Sequence, residues 1–159
     1  MKSVFQMIAT LACAVALTAC GAAANTEKPL VLDPNTQVKE LVVSDLVKGT
    51  GKAAAAGDTL TVVYTGWLYD ASKPDGKGVQ FDTTVPPKSF TFILGIGQMI
   101  LGWDRGLVGM QEGGTRRLLI PYDLGYGVSG TSDRVTKTVV IPPYAGLVFD
   151  ITLREVVKK

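Results

Sequence analysis

The side chains with the most chemical promise in this sequence are aromatic. Gly102-Trp103 follows the alternating stretch Phe90-Thr91-Phe92-Ile93-Leu94-Gly95 and adjoins Gln98-Met99-Ile100-Leu101. A large ring directly after a glycine, at the head of a short amphipathic stretch, suits the floor of an apolar pocket. Taken singly, Trp103, Phe90, Phe92 and Phe149 also fit ordinary core packing, the commonest use of rings at strand and helix spacing. Other chemistry is excluded by composition. The chain has no histidine, which removes Ser-His-Asp and Cys-His catalysis and most zinc sites. Its two cysteines, Cys13 and Cys20, both precede the expected domain, so no disulfide or thiol chemistry is expected there. Gly95-Ile96-Gly97 lacks the third glycine and the βαβ setting of a nucleotide loop. Sixteen basic against fourteen acidic residues give a net charge of +2, without the basic excess of a nucleic-acid binder. The expectation is a pocket that binds an apolar group and acts on it with no nucleophile, metal or cofactor.

The elements that must position these rings follow from periodicity. At 159 residues and 47% hydrophobic, the chain can build one domain with a full core. Glu40–Lys48 reads as a strand with imperfect alternation. Leu60, Val62 and Tyr64 share one strand face and Thr59, Thr61, Val63 and Thr65 the other. Residues 70–79, with Pro74 and Asp75-Gly76, read as a polar loop. Phe90, Phe92 and Leu94 lie on one face of a further strand. Ile100, Trp103, Leu107 and Met110 recur at helical spacing, but Gly102, Gly106 and Gly109 weaken that helix, so it should be short and held by packing. Thr115–Ile120 is a strand ended by Pro121, and Arg116-Arg117 reads as its solvated surface. Leu147, Phe149, Ile151 and Leu153 alternate cleanly in the last strand. The fold class expected is α+β, an antiparallel sheet of five to six strands wrapped around one short helix.

The N-terminus has a different character. Lys2 precedes an apolar run from about Met7 to Leu17, the layout of a secretory signal. Leu17-Thr18-Ala19-Cys20 resembles a bacterial lipobox, which implies cleavage before Cys20 and its lipidation by fatty acyl chains, palmitate among them. The competing readings are an uncleaved anchor, for which the run is short, and a plain signal peptide cut after Ala19 or Ala22. Several acyl chains would make a firm membrane anchor. Gly21, in place of the Asp linked to inner-membrane retention, points to the outer membrane of a Gram-negative cell, facing the periplasm. The domain organisation expected is signal peptide 1–19, lipidated cysteine and flexible tether 20–37, and domain 38–159.

In order, the chain carries Val63-Tyr64-Thr65-Gly66, Phe81-Asp82, Phe90-x-Phe92-x-Leu94-Gly95, Ile100-x-Gly102-Trp103, Pro121, Tyr126-Gly127, Ile141-Pro142-Pro143 and Leu147-Val148-Phe149-Asp150. This series resembles the FKBP family of peptidyl-prolyl cis-trans isomerases over about residues 40–157. The resemblance implies an antiparallel half-barrel curled around a short helix. It implies a pocket floored by Trp103 and walled by Tyr64, Phe90, Met99, Ile100 and Phe149, with Phe81, Asp82, Tyr126 and Ile141 at the rim. Met99 stands where a valine is more usual.

The reaction so implied needs no bond to break. The X-Pro amide rotates against a barrier of about 18–20 kcal/mol, over tens to hundreds of seconds unaided. A site that binds the twisted amide better than either planar form accelerates it. Tyr126, through its hydroxyl, and the backbone N–H of Ile100 are the candidate donors to the flanking carbonyls. Asp82 either polarises the carbonyl carbon or orients Tyr64, the second role being favoured. The implied partners are proline-containing exported proteins, with macrolides of the rapamycin type as ligands of the same pocket.

Three departures stand out. Residues 70–79 form an insertion. The stretch from Asp82 to Phe90 carries Pro86-Pro87 and lacks the arginine that often pairs with the aspartate. The loop from Gly127 to Val140 is expanded beside the expected site. A proline-segment binding module or chaperone with incidental isomerase activity is the competing reading, and a surface adhesion protein the third.

Overall fold

A computed structural model describes residues 33–84, 86–133, 136 and 138–159. The expected signal peptide, the lipobox-like stretch and Cys20 lie outside the described residues. Among the described residues eight strands and one α-helix follow in order: β1 (Val42–Val47), β2 (Thr59–Tyr69), β3 (Lys77–Thr83), β4 (Phe90–Ile93), α1 (Leu101–Gly106), β5 (Thr115–Ile120), β6 (Thr131–Ser132), β7 (Val139–Ile141) and β8 (Leu147–Val157). Six strands form one antiparallel sheet in the order β1-β5-β8-β2-β3, with β4 also pairing β2, while β6 and β7 form a separate hairpin. Alternation decides which face is covered. Leu60 and Val62 of β2, Leu118 and Ile120 of β5, and Leu147, Phe149, Ile151 and Leu153 of β8 are buried on the helix side. A register shift opposite Thr61/Val62 leaves Arg154 and Glu155 outside and returns Val156 to the core. This is the action expected of a bulge.

The helix spans six residues, too few to hold together unaided. Its glycines explain how it survives. A Cβ on Gly102 would lie 2.5 Å from Ile120 Cγ2, and one on Gly106 would lie 2.7 Å from Leu118 Cδ2. The bare face of the helix therefore rests directly on β5, while Trp103 and Leu107 are buried in the core. Residues that lower helix propensity are what allow the packing that stabilises this helix. The periodicity seen through Met110 outlasts the helix, which stops at Gly106, yet Met110 remains buried.

Three expectations are corrected. Arg116 and Arg117 are not solvated. Arg116 lies on the helix side of β5, 8% exposed. It donates through Nε to Asp45 Oδ1 at 2.6 Å and through Nη1 to the Gly106 and Val108 carbonyls at 2.8 and 3.2 Å. It thereby ties edge strand β1 to the carbonyl end of α1, where a cation is favoured. On the outer face, Arg117 forms a fork on Asp150 at 2.7 and 2.9 Å and pairs with Asp75 at 3.0 Å. Second, Lys77–Val79, read as loop, belong to β3. Lys77 is held by Asp150 at 2.7 Å and lies 4.3 Å from the Trp67 ring. Third, the end of the expected tether is attached to the domain. A 3-10 turn spans Pro34–Thr36, and the Asn35 and Thr36 carbonyls accept from the Ala71 and Gly146 N–H groups, each at 2.9 Å.

Candidate functional site

The rings among the expected site residues converge on the helix side of the sheet, around the first turn of α1. Trp103, on the first turn of the helix, is 1% exposed. Three rings surround it: Tyr64 from β2 at 5.0 Å and 85°, Phe149 from β8 at 5.3 Å and 86°, and Phe92 from β4 at 5.6 Å and 54°. The first two are edge-to-face contacts, the arrangement that the ring quadrupole favours. Phe90 extends the wall, 6.1 Å from Tyr64, and Phe81 meets Phe149 edge-on at 5.6 Å. Met99 and Ile100, at the entry to the helix, are half-buried against the same cluster. The indole Nε1–H of Trp103 makes no hydrogen bond among the described residues.

The polar side of the site is built by β2 and β3. The Tyr64 hydroxyl donates to Asp82 Oδ2 at 2.6 Å, and the Thr83 N–H donates to Asp82 Oδ1 at 2.8 Å. The carboxylate is therefore oriented without the arginine that the sequence lacks, and no cation pairs with it among the described residues. Burial, the bond to Asp82 and the negative charge of Asp82 all push the Tyr64 hydroxyl pKa well above its ordinary value. Tyr126, 39% exposed, follows the 3-10 turn Tyr122–Leu124. Its segment is fixed by the Gly127 N–H donating to the Tyr122 carbonyl at 2.8 Å and the Tyr144 N–H donating to the Gly127 carbonyl at 3.1 Å. The Tyr122 and Tyr144 rings pack 5.3 Å apart. Burial, then the charge of Asp82, raise the Tyr126 pKa. Its hydroxyl has no hydrogen-bond partner among the described residues. The Ile100 N–H, at the helix N-cap, is likewise unengaged among them.

One expected rim residue sits deeper. Ile141 is 2% exposed because β7 carries it inward from the hairpin, so it supports the pocket from within the core. The Gly95-Ile96-Gly97 loop has no capacity for phosphate: its Gly95 and Gly97 N–H groups donate to Asp104 Oδ1 and Oδ2 at 2.9 and 3.0 Å. Among the described residues, no group of three or more acidic or cysteine side chains is placed to hold a metal. Two features escaped sequence reasoning. Gly66 has the rings of Phe149 and Phe81 directly over its Cα. Thr83 and Thr84 bond to the Tyr64 main chain. The consecutive hydroxyls after Asp82 were the available signal, but their target depends on the crossing from β3 to β4.

Comparison with known proteins points one way. A sequence model of the family described as FKBP-type peptidyl-prolyl cis-trans isomerase matches residues 50–154. An FK506-binding protein of Neisseria meningitidis serogroup B is 43% identical over 117 residues, covering 73% of this chain and 95% of its own. FK506-binding protein 1B of Neurospora crassa is 41% identical over 108 residues, covering 68% and 90%. Among solved structures, a peptidyl-prolyl cis-trans isomerase of Pseudomonas syringae pv. tomato superposes with a TM-score of 0.59 at 32% identity, covering 79% of this chain and 84% of that one. FkpA from Escherichia coli superposes with a TM-score of 0.59 at 35% identity, covering 74% and 48%.

Proposed function

From the premise that the chain belongs to the FKBP-type peptidyl-prolyl cis-trans isomerase family, we propose that its isomerase activity resides in the ring cluster around Trp103. The prolyl ring of a substrate rests on the indole between Tyr64, Phe90 and Phe149, with Met99 and Ile100 completing the apolar lining, Ile141 supporting it from the core and Phe81 at the mouth. Rotation about the X-Pro bond removes amide resonance and leaves a less polar carbonyl. A dry aromatic pocket favours that state relative to water, and this difference in binding is the catalysis. The supporting observation is a division of labour between two tyrosines. The Tyr64 hydroxyl is committed to Asp82 at 2.6 Å, so Asp82 orients the wall of the pocket. The Tyr126 hydroxyl is uncommitted at the rim, as is the Ile100 N–H, and these two are the donors for the carbonyls flanking proline.

The test is acceleration of cis-trans isomerisation of an X-Pro tetrapeptide by the purified chain. Tyr126→Phe should lower kcat/KM about three- to tenfold, the value of one hydrogen bond made in the transition state, with little change in thermal stability. A variant of full activity removes Tyr126 from the mechanism. The pH profile supplies a second prediction. A neutral hydroxyl is the donor, and both Tyr64 and Tyr126 titrate above the ordinary tyrosine value of about 10. Activity should therefore stay level through about pH 10 and fall only beyond it; a midpoint below that contradicts the assignment.

The natural substrates are then proline-containing exported proteins, met by an enzyme lipidated at Cys20 and held at a bacterial envelope membrane, the outer one facing the periplasm. The lipobox-like Leu17-Thr18-Ala19-Cys20 supports this. Incorporation of a fatty-acid analogue should vanish in Cys20→Ser, and equal labelling of both proteins overturns the anchor. The relatives named for FK506 binding support macrolide occupancy of the same pocket, read as inhibition of the tetrapeptide reaction.

A further inference from the structure

The main chain of β2 meets a break in its pairing at the residue that carries the pocket wall. On one side β2 pairs with β8 along nearly its whole length, with one register shift at Thr61/Val62, and Val63 and Tyr64 oppose Thr152 and Ile151. On the other side its partner changes. β4 pairs with Thr59–Val62, and β3 takes over only at Thr65. Tyr64 falls in the gap, half-buried and with no strand to accept its N–H. An unmet amide there carries a real cost. Thr84, the first residue after β3, fills the gap. The Tyr64 N–H donates to Thr84 Oγ1 at 2.8 Å, the Thr84 N–H donates to the Tyr64 carbonyl at 2.9 Å, and the Thr84 hydroxyl is 3.3 Å from that same carbonyl. Thr83 adds its hydroxyl to the Tyr64 carbonyl at 3.1 Å. One threonine side chain thus performs the work of a missing ladder residue. It does so two positions from Asp82, which holds the other end of Tyr64.

We propose that Thr84 is a positioning residue for isomerisation: by closing the β3-to-β4 break at the Tyr64 amide, its hydroxyl holds the Tyr64 hydroxyl on Asp82 and the ring against Trp103. This rests on the reading that the Tyr64 side of the Trp103 cluster is the working pocket. Backbone and side chain of Tyr64 are gripped by the same short segment, residues 82–84. Loosening the amide therefore frees the ring at the end whose hydroxyl bond sets its angle. Threonine and serine supply that oxygen; valine, of the same shape, does not.

The test is a double-mutant cycle on the full chain, read as kcat/KM for an X-Pro tetrapeptide, with thermal unfolding and hydrogen exchange at the Tyr64 amide followed in parallel. Thr84→Val is expected to lower kcat/KM about three- to tenfold, the loss of one hydrogen bond, and to speed exchange at Tyr64. Thr84→Ser should return both to near the parent. In a Tyr64→Phe background the loss from Thr84→Val should shrink to under about twofold, because the hydroxyl it positions is gone. Thr84→Ala, which adds no bulk, runs the same cycle should the valine variant fail to fold. An enzyme that depends on Tyr64 but ignores Thr84→Val and Thr84→Ala, or loses the same factor in both backgrounds, overturns this proposal alone. Unchanged kcat/KM in Tyr64→Phe overturns the pocket reading together with it.

Discussion

Gly66→Val is expected to abolish most isomerase activity and to destabilise the domain, although no functional group is removed. Gly66 is buried in β2, opposite Asp82 on β3 and Phe149 on β8. A Cβ at this position would lie 2.7 Å from Phe149 Cε1 and 2.9 Å from Phe81 Cζ, closer than carbon atoms pack. The two rings meet edge-on above the bare Cα, and Phe149 in turn abuts Trp103. A valine must displace both rings, and with them the wall of the proposed pocket. Overpacking of this kind costs about 1–3 kcal/mol, and kcat/KM should fall by more than about tenfold because a misplaced wall forfeits orientation. Gly66→Ala should show the same direction with a smaller loss. Urea unfolding and the tetrapeptide assay check the two effects, and a fully active valine variant would show that the Phe81–Phe149 pair lies outside the pocket.

Trp103→Leu is expected to have the second large effect, on activity more than on folding. Truncating a buried Trp to Ala costs about 3–5 kcal/mol. Leucine refills part of that volume, so about 2–3 kcal/mol is expected, against a total of about 5–15 kcal/mol for an ordinary domain. The protein should stay folded. It loses three ring contacts between 5.0 and 5.6 Å and the proposed flat seat for a prolyl ring, so kcat/KM should drop by at least about tenfold. Trp103→Phe should lose less on both counts, since it keeps a ring and deletes a buried N–H that has no partner among the described residues. Full activity in a destabilised Trp103→Leu enzyme would assign the indole to the core alone.

Parts of this architecture were legible in the sequence because one periodicity governed them. In β2 and the middle of β8 apolar residues alternate and one face is buried, with Val148 and the bulge at Arg154 and Glu155 as departures, while β5 keeps the alternation of burial but places Arg116 on the covered face. Alternation and one helical turn place the rings from Tyr64 to Phe149 on covered faces, where each alone fits ordinary core, and the ordered series of motifs that resembles the FKBP family is what marks them as a site. What escaped depends on contacts between distant residues. Arg116 and Arg117 looked solvent-exposed because nothing local reveals Asp45, 71 residues away, or Asp150, 33 residues away. Lys77–Val79 looked like loop because an edge strand next to an Asp-Gly turn carries little apolar signal; the Lys77–Asp150 pair and Trp67 hold it. Gly102 and Gly106 lower helix propensity locally, and only Ile120 and Leu118, on a later strand, need the bare surface they leave. Thr84 carried no periodic signal at all, since its role exists only where β2 changes partners.

A prolyl ring seated on Trp103 during catalysis should be visible in the emission of that indole. The chain has two tryptophans, and Trp67 lies on the outer face of the sheet beside Lys77, so Trp67→Phe leaves Trp103 as the sole indole emitter without touching the pocket. Titrating that variant with an X-Pro peptide while following both emission and isomerisation is the most direct measurement. Trp103 emission should change on adding peptide and reach half of its full change at the peptide concentration that half-saturates catalysis. Emission that stays constant while the enzyme turns over at saturating peptide would contradict the seating on Trp103.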